Sequence, residues 1–321
     1  MTNRPATIQR LVALEGSEDH LAWEARQRNP AAIAAAVAAL CTFVGTVWRG
    51  IALSDLPRGG LLEALSRATE PGRVAELESL KLRTFEFYDD HATSVLLSSI
   101  LVAIGYFALG WALAYLAVAT RARRPSFRSW LVYLPLVAAT IQALATVLSS
   151  FATNRAISDF LDGPRTVEAA EEVGTGGLAV FASLLGLPGA LGLALALVMI
   201  SLNAMGVGLL TRFMGVLGII TGALIFLPFG GPLPVVQCFL LLMLALLFSG
   251  RWPGGQPRAW RTGDAEPWPT AAQVREQRQR AAAERRGETY EPPAEAEAEP
   301  AAVSAGPSPS TAARKRKRKR R

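Results

Sequence analysis

Ionisable side chains are almost missing from the middle of this sequence, and cysteine and histidine are scarce throughout it. The 321 residues hold two cysteines and two histidines, and charged residues make up only 18% of the chain. Cys41 and Cys238 each fall inside a long apolar stretch, where burial leaves a thiol inert. Counted inward from opposite faces, their depths differ by about 7 Å, more than the usual Cα separation of a disulfide. His20 and His91 are the only imidazoles, which leaves histidine-based catalysis few candidates. H-E-x-x-H, G-x-S-x-G and glycine-rich phosphate loops do not occur. No Asp, Glu, Lys or His lies deep in any long apolar stretch, which disfavours a proton relay through a membrane.

What the sequence has instead is length of apolar chain. Six stretches run roughly over 31–53, 93–120, 129–151, 178–206, 214–230 and 233–250. A helix needs about 20 apolar residues to cross the hydrocarbon core, and most of these stretches reach that. Without water to satisfy the backbone, runs this continuous are helices and not barrel strands. The expected fold is all-α: a polytopic bundle of about six transmembrane helices with a disordered C-terminal tail. Residues 1–30 form an N-terminal segment, 31–250 the membrane domain with a long connection at 54–92, and 251–321 the tail. Thirty largely hydrophilic residues before the first stretch are too many for a signal n-region, so that stretch is expected to remain as an anchor.

Arginine placement predicts the orientation, because Lys and Arg collect in short cytoplasmic loops. Arg4, Arg10, Arg26 and Arg28 precede the first stretch; Arg121, Arg123, Arg124 and Arg128 fill the second connection; Arg212 sits in the fourth; and Arg251 opens the tail. With six spans all four segments share one face. Across the other face, the first connection carries eight acidic residues against five basic ones, and the third holds Asp159, Asp162, Glu168, Glu171 and Glu172 against Arg155 and Arg165. Both termini are expected in the cytoplasm, and the protein in the plasma membrane. Tyr115, Trp130, Tyr133 and Trp252 are expected to form the cytoplasmic aromatic belt.

Few residues offer chemistry. Residues 72–88 read as an amphipathic helix lying at the outer interface. It runs into Asp89, Asp90 and His91, a cluster able in principle to ligate a divalent cation with help from Asp159 and Asp162. An ordinary acidic helix start explains the same residues better. Glu171-Glu172 resembles the paired glutamates of membrane prenyl-protein proteases, but the arginine that should follow is missing. Gln142, Asn203 and Gln237 are the polar side chains within the spans that would line a path for a neutral solute; hydrogen bonding between helices is the commoner role for such residues. Gly218-x-x-x-Gly222 lets helices approach closely, within one bundle or between two copies. No cofactor is expected.

The tail begins with Trp252, Trp260 and Trp268 among prolines and glycines, continues with a helix-compatible stretch from Ala271 to Arg286, and becomes rich in Pro, Ala and Glu. Such composition stays disordered. It ends in eight basic residues, Arg314, Lys315, Arg316, Lys317, Arg318, Lys319, Arg320 and Arg321. Tethered at a cytoplasmic leaflet, this octet meets anionic headgroups, at about 1 kcal/mol per residue. Nucleic acid is the less favoured partner, since the run has no aromatic interleaving. The segment Leu210–Gly222, a short arginine loop followed by a glycine-spaced span, resembles uncharacterised actinobacterial multi-helix integral membrane proteins, domains of unknown function; the Ala/Arg-rich composition and basic tail are similar too. The expected function is that of a non-enzymatic plasma-membrane protein acting by interaction, through lipids, a second copy or another membrane protein. A small-solute transporter or channel is the alternative.

Overall fold

The computed structural model describes residues 17–57, 79–226, 234–253, 255–269 and 271–286. Among them all regular structure is helical, with no β-strand. One compact unit runs to Trp268, and a second begins at Pro269.

The first unit contains α1 (Ser17–Ala52), α2 (Leu82–Asp90), α3 (Ala92–Arg123), α4 (Trp130–Asp162), α5 (Val167–Glu172), α6 (Gly177–Gly206), α7 (Arg212–Phe226), α8 (Val235–Phe248) and α9 (Ala259–Thr262). Four helices, α1, α3, α4 and α6, are long and apolar enough to cross a membrane. The fifth and sixth stretches form the shorter apolar helices α7 and α8. Fifteen residues in α7 rise about 22 Å, short of a 30 Å hydrocarbon core.

The six apolar helices close into a ring in the order α1, α3, α4, α6, α7, α8, with α8 returning to α1 and α3 also reaching α6 across the centre. Small residues set the spacing. A Cβ on Gly105 of α3 would overlap the Thr42 hydroxyl of α1, and one on Gly218 of α7 would overlap Ser201 of α6. Gly222 likewise packs on the Ala194 carbonyl of α6. The Gly218-x-x-x-Gly222 motif is thus occupied by packing inside one bundle. Leu109, Leu113, Leu197, Ile200, Met214 and Leu241 are buried in the centre. The outside is apolar as well: Leu144, Leu184 and Phe107 are all more than half exposed, which suits a hydrocarbon solvent and not water.

Hydropathy misplaces two helix ends. The polar lead 17–30 belongs to α1, which continues through Pro30. At the far end of α4, the polar residues 152–162 extend the third stretch by another three turns. Of the amphipathic helix expected over 72–88, residues 82–88 are helical within α2; 72–78 lie outside the described residues.

In the second unit, the helix-compatible stretch forms α10 (Ala271–Arg286), which is strongly polar.

Candidate functional site

Among the described residues, the most elaborate polar arrangement lies at the arginine-bearing end of the bundle. Arg123 is the last residue of α3, where a cation complements the partial negative charge of the helix C-terminus. Its side chain is nevertheless fully buried. A guanidinium has five N–H donors, and here all five are used. Nη1 donates to Glu24 Oε1 at 2.5 Å and to the Ala119 carbonyl at 2.9 Å. Nη2 donates to Glu24 Oε2 at 2.9 Å and to the Ala259 carbonyl at 2.8 Å, which also accepts from Nε at 3.0 Å. A buried ion pair is tolerable only when its remaining hydrogen-bonding capacity is met. The pair joins α1, α3 and the chain beyond α8.

Aromatic rings wall this pair. The Arg123 guanidinium lies over the Trp260 ring at 5.5 Å. Trp260 stacks on Tyr115 at 5.9 Å and 12°, and Tyr115 meets Phe248 edge-on at 5.0 Å and Trp23 at 5.8 Å. The Tyr115 hydroxyl donates to the Glu24 carbonyl at 3.3 Å. Tyr115 is only 4% exposed, so it is a core residue and not the lipid-facing belt residue that its position suggests. Trp130, at 46% exposure, keeps the belt role open to it.

The segment after α8 acts as a strap. Trp260 Nε1 donates to the Leu209 carbonyl at 2.9 Å, and Trp268 Nε1 to the Leu210 carbonyl at 2.7 Å. The Glu266 amide donates to the Val207 carbonyl at 3.1 Å. Gly208, at φ +78°, has no room for a Cβ against the Glu266 carbonyl. Helix C-termini leave carbonyls without partners; at α8, Gln256 Nε2 bonds Leu247 O at 3.1 Å and Arg28 Nε bonds Phe248 O at 2.6 Å. The compact unit therefore passes the composition boundary at 250 and ends at Trp268. The physical reason lies in the indole rings: Trp252 and Trp260 pack against the core and Trp268 is tied by its N–H to Leu210.

Chemically the arrangement holds rather than reacts. Each carboxylate oxygen accepts one bond from Arg123 and the guanidinium is engaged at every N–H, so no guanidinium donor remains for a substrate. His20 Nδ1 approaches Glu24 Oε1 only at 4.0 Å.

The residues singled out by sequence are dispersed. Asp89 and Asp90 are exposed. His91 stacks on Phe87 at 4.4 Å, with Nδ1 2.8 Å from the Phe87 carbonyl. Asp159 pairs with Arg155 at 3.7 Å. Among the described residues, no three His, Cys, Asp or Glu side chains are grouped to hold a metal. Gln142 of α4 faces the Gly189 position of α6, and its Oε1 is buried without a hydrogen bond. Asn203 of α6 donates to Met199 O at 2.7 Å and accepts from Arg124 Nη1 at 3.0 Å. Gly189 and Asn203 are 14 residues, about 21 Å, apart along α6. Gln237 is buried on α8, with Nε2 unpartnered. The basic octet 314–321 lies outside the described residues.

Compared with known families, curated proteins and solved structures, the chain finds no match to a family model, a curated protein or a solved structure.

Proposed function

We propose that this chain is a non-enzymatic, polytopic plasma-membrane protein that acts by interaction, holding a cytoplasmic tail against the inner leaflet. In this reading α7 and α8 join the four long helices as spans, so six crossings leave both termini inside. The acidic connections then face outward. The strap carries the proposal: Arg123, Glu24, Trp260 and Trp268 fix the root of the tail to the bundle end. A tail rooted at the membrane surface gives the octet Arg314–Arg321 a short path to anionic headgroups. The saturated Arg123 guanidinium at the strap supports a holding role over a catalytic one.

Orientation is tested by impermeant thiol labelling of single cysteines placed at Ser54, Thr175 and Asp264 in a chain with Cys41 and Cys238 changed to Ala. Labelling of intact cells at 54 and 175 but not 264 supports the topology; the reverse pattern contradicts it. The tail is tested by neutralising Arg314–Arg321 to Gln and measuring the effect of anionic lipid on tail proteolysis in proteoliposomes. Protection that persists without the octet removes it as the contact.

One observation favours transport as a second reading: Gln142 Oε1 and Gln237 Nε2 are buried polar atoms without partners, which water or a neutral solute could satisfy. Solute flux into proteoliposomes that falls with Gln142→Leu would support it. Absence of flux across a panel of neutral solutes would retire it.

A further inference from the structure

The strap does more than close the helix ends, because it brings its own cations to them. Arg258 and Arg261 flank Ala259 and Trp260 in sequence, and both are exposed. Ala259 is bonded to Arg123 and Trp260 to Leu209, so these two arginines stand on the same end of the bundle as Arg124 and Arg128. Arg124 follows Arg123 directly. Its Nη1 donates to Asn203 at 3.0 Å and its Nε to Ser126 at 3.2 Å, which holds it over the end of α6. Two of its nitrogens are thus engaged, and the side chain as a whole is exposed. Among the described side chains here, Glu24 is buried and bonded to Arg123, and the strap carries Asp264 and Glu266.

We propose that Arg124, Arg128, Arg258 and Arg261 form a binding rim for anionic phospholipid headgroups, built into the folded domain and separate from the C-terminal octet. Position favours lipid over other polyanions. The rim crowns apolar helices, and beside it stand Trp130 and Phe213, 46% and 61% exposed, as rings suited to the headgroup boundary. Guanidinium groups suit phosphate because they donate two parallel hydrogen bonds to its oxygens. The rim tops a long-helix end and two exposed strap positions, so a headgroup would bridge α3 and the strap and tighten the latch beneath it. This inference rests on the membrane reading given above.

The test is native mass spectrometry of the full-length protein in detergent, titrated with equimolar phosphatidylglycerol and phosphatidylcholine. Each cation near an anionic surface is worth about fivefold in binding. The wild-type protein is expected to retain phosphatidylglycerol with at least about a tenfold preference, of which the Arg124→Gln, Arg128→Gln, Arg258→Gln, Arg261→Gln variant loses most. Neutralising Arg314–Arg321, whose attraction depends on the surface potential of an extended anionic leaflet that a detergent micelle lacks, should leave this preference for individual bound lipids within about twofold. Should the fourfold variant misfold, Arg128→Gln with Arg258→Gln, two exposed positions, is expected to lose about half the logarithm of the preference. A preference that survives the rim variants, or that disappears with the octet alone, overturns the proposal. So does displacement of the lipid by a short single-stranded RNA, which would make the rim a nucleic-acid surface. Extraction of the wild-type chain from native membranes by alkaline carbonate would instead refute the membrane reading, whatever the lipid titration gives.

Discussion

The two ends of the bundle use the same chemistry with opposite results. At one end Arg123 and Glu24 are buried, and the guanidinium makes five bonds, two to Glu24 and three to backbone carbonyls. At the other, Arg155 and Asp159 stand 3.7 Å apart and Arg165 and Glu86 3.9 Å apart, with all four side chains at least 46% exposed. Solvent screens those pairs, so each is worth less than about 1 kcal/mol. That end is held by other means: Phe85 of α2 meets Phe160 of α4 at 5.0 Å, Asn154 bonds Ala92 O, and Thr84 bonds Pro57 O. An arginine–carboxylate pair organises a fold only where neither partner can return to water.

The comparison breaks first at Glu24. Glu24→Ala leaves Arg123 buried without its anion and should cost about 3–5 kcal/mol. Combining it with Arg123→Met should cost less than Glu24→Ala alone, because no buried charge is left stranded. Equilibrium unfolding in mixed micelles reads both; strict additivity would refute the latch. Trp260→Ala removes the ring over Arg123 and the bond to Leu209 O, and should cost about 3 kcal/mol, at the low end for large aromatic deletions. Limited proteolysis should then cut within 255–268 first.

Smaller effects sharpen the contrast. Gly218→Leu must push α7 off Ser201 of α6, costing about 1–3 kcal/mol by overpacking. Ser99→Ala deletes the 2.5 Å hydroxyl pair with Ser150 between α3 and α4, a loss of about 1 kcal/mol in the same unfolding assay. Smallest of all is Asp159→Asn at the acidic end, expected within about 0.5 kcal/mol of wild type. A larger loss there would mean the exposed pairs matter and the two ends are alike.

Much of the bundle was legible in composition, and the latch was not. The four long helices follow from apolar runs that hydropathy reads directly, and α10 follows from helix-forming residues between Ala271 and Arg286. The termini of α1 and α4 escaped, because polar residues extend a helix when tertiary partners receive them, as Glu24 is received by Arg123. That partnership spans 99 residues, and Arg123 to Ala259 spans 136. No local pattern encodes such pairings. One signal was present: Trp252, Trp260 and Trp268 are out of place in a segment that composition marks as unstructured. Gln142, Asn203 and Gln237 were visible as polar residues in apolar runs, yet their separation depends on which helices become neighbours.

Hydrogen–deuterium exchange across 255–268, in the full-length protein in nanodiscs, tests the strap most directly. The Glu266 amide bonded to Val207 O and the Gly263 amide bonded to Ala259 O should be protected in the wild type, and Glu24→Gln should speed their exchange by about two orders of magnitude, equivalent to about 3 kcal/mol. Exchange at free-peptide rates in the wild type, or protection untouched by Glu24→Gln, would contradict a strap held by this buried pair.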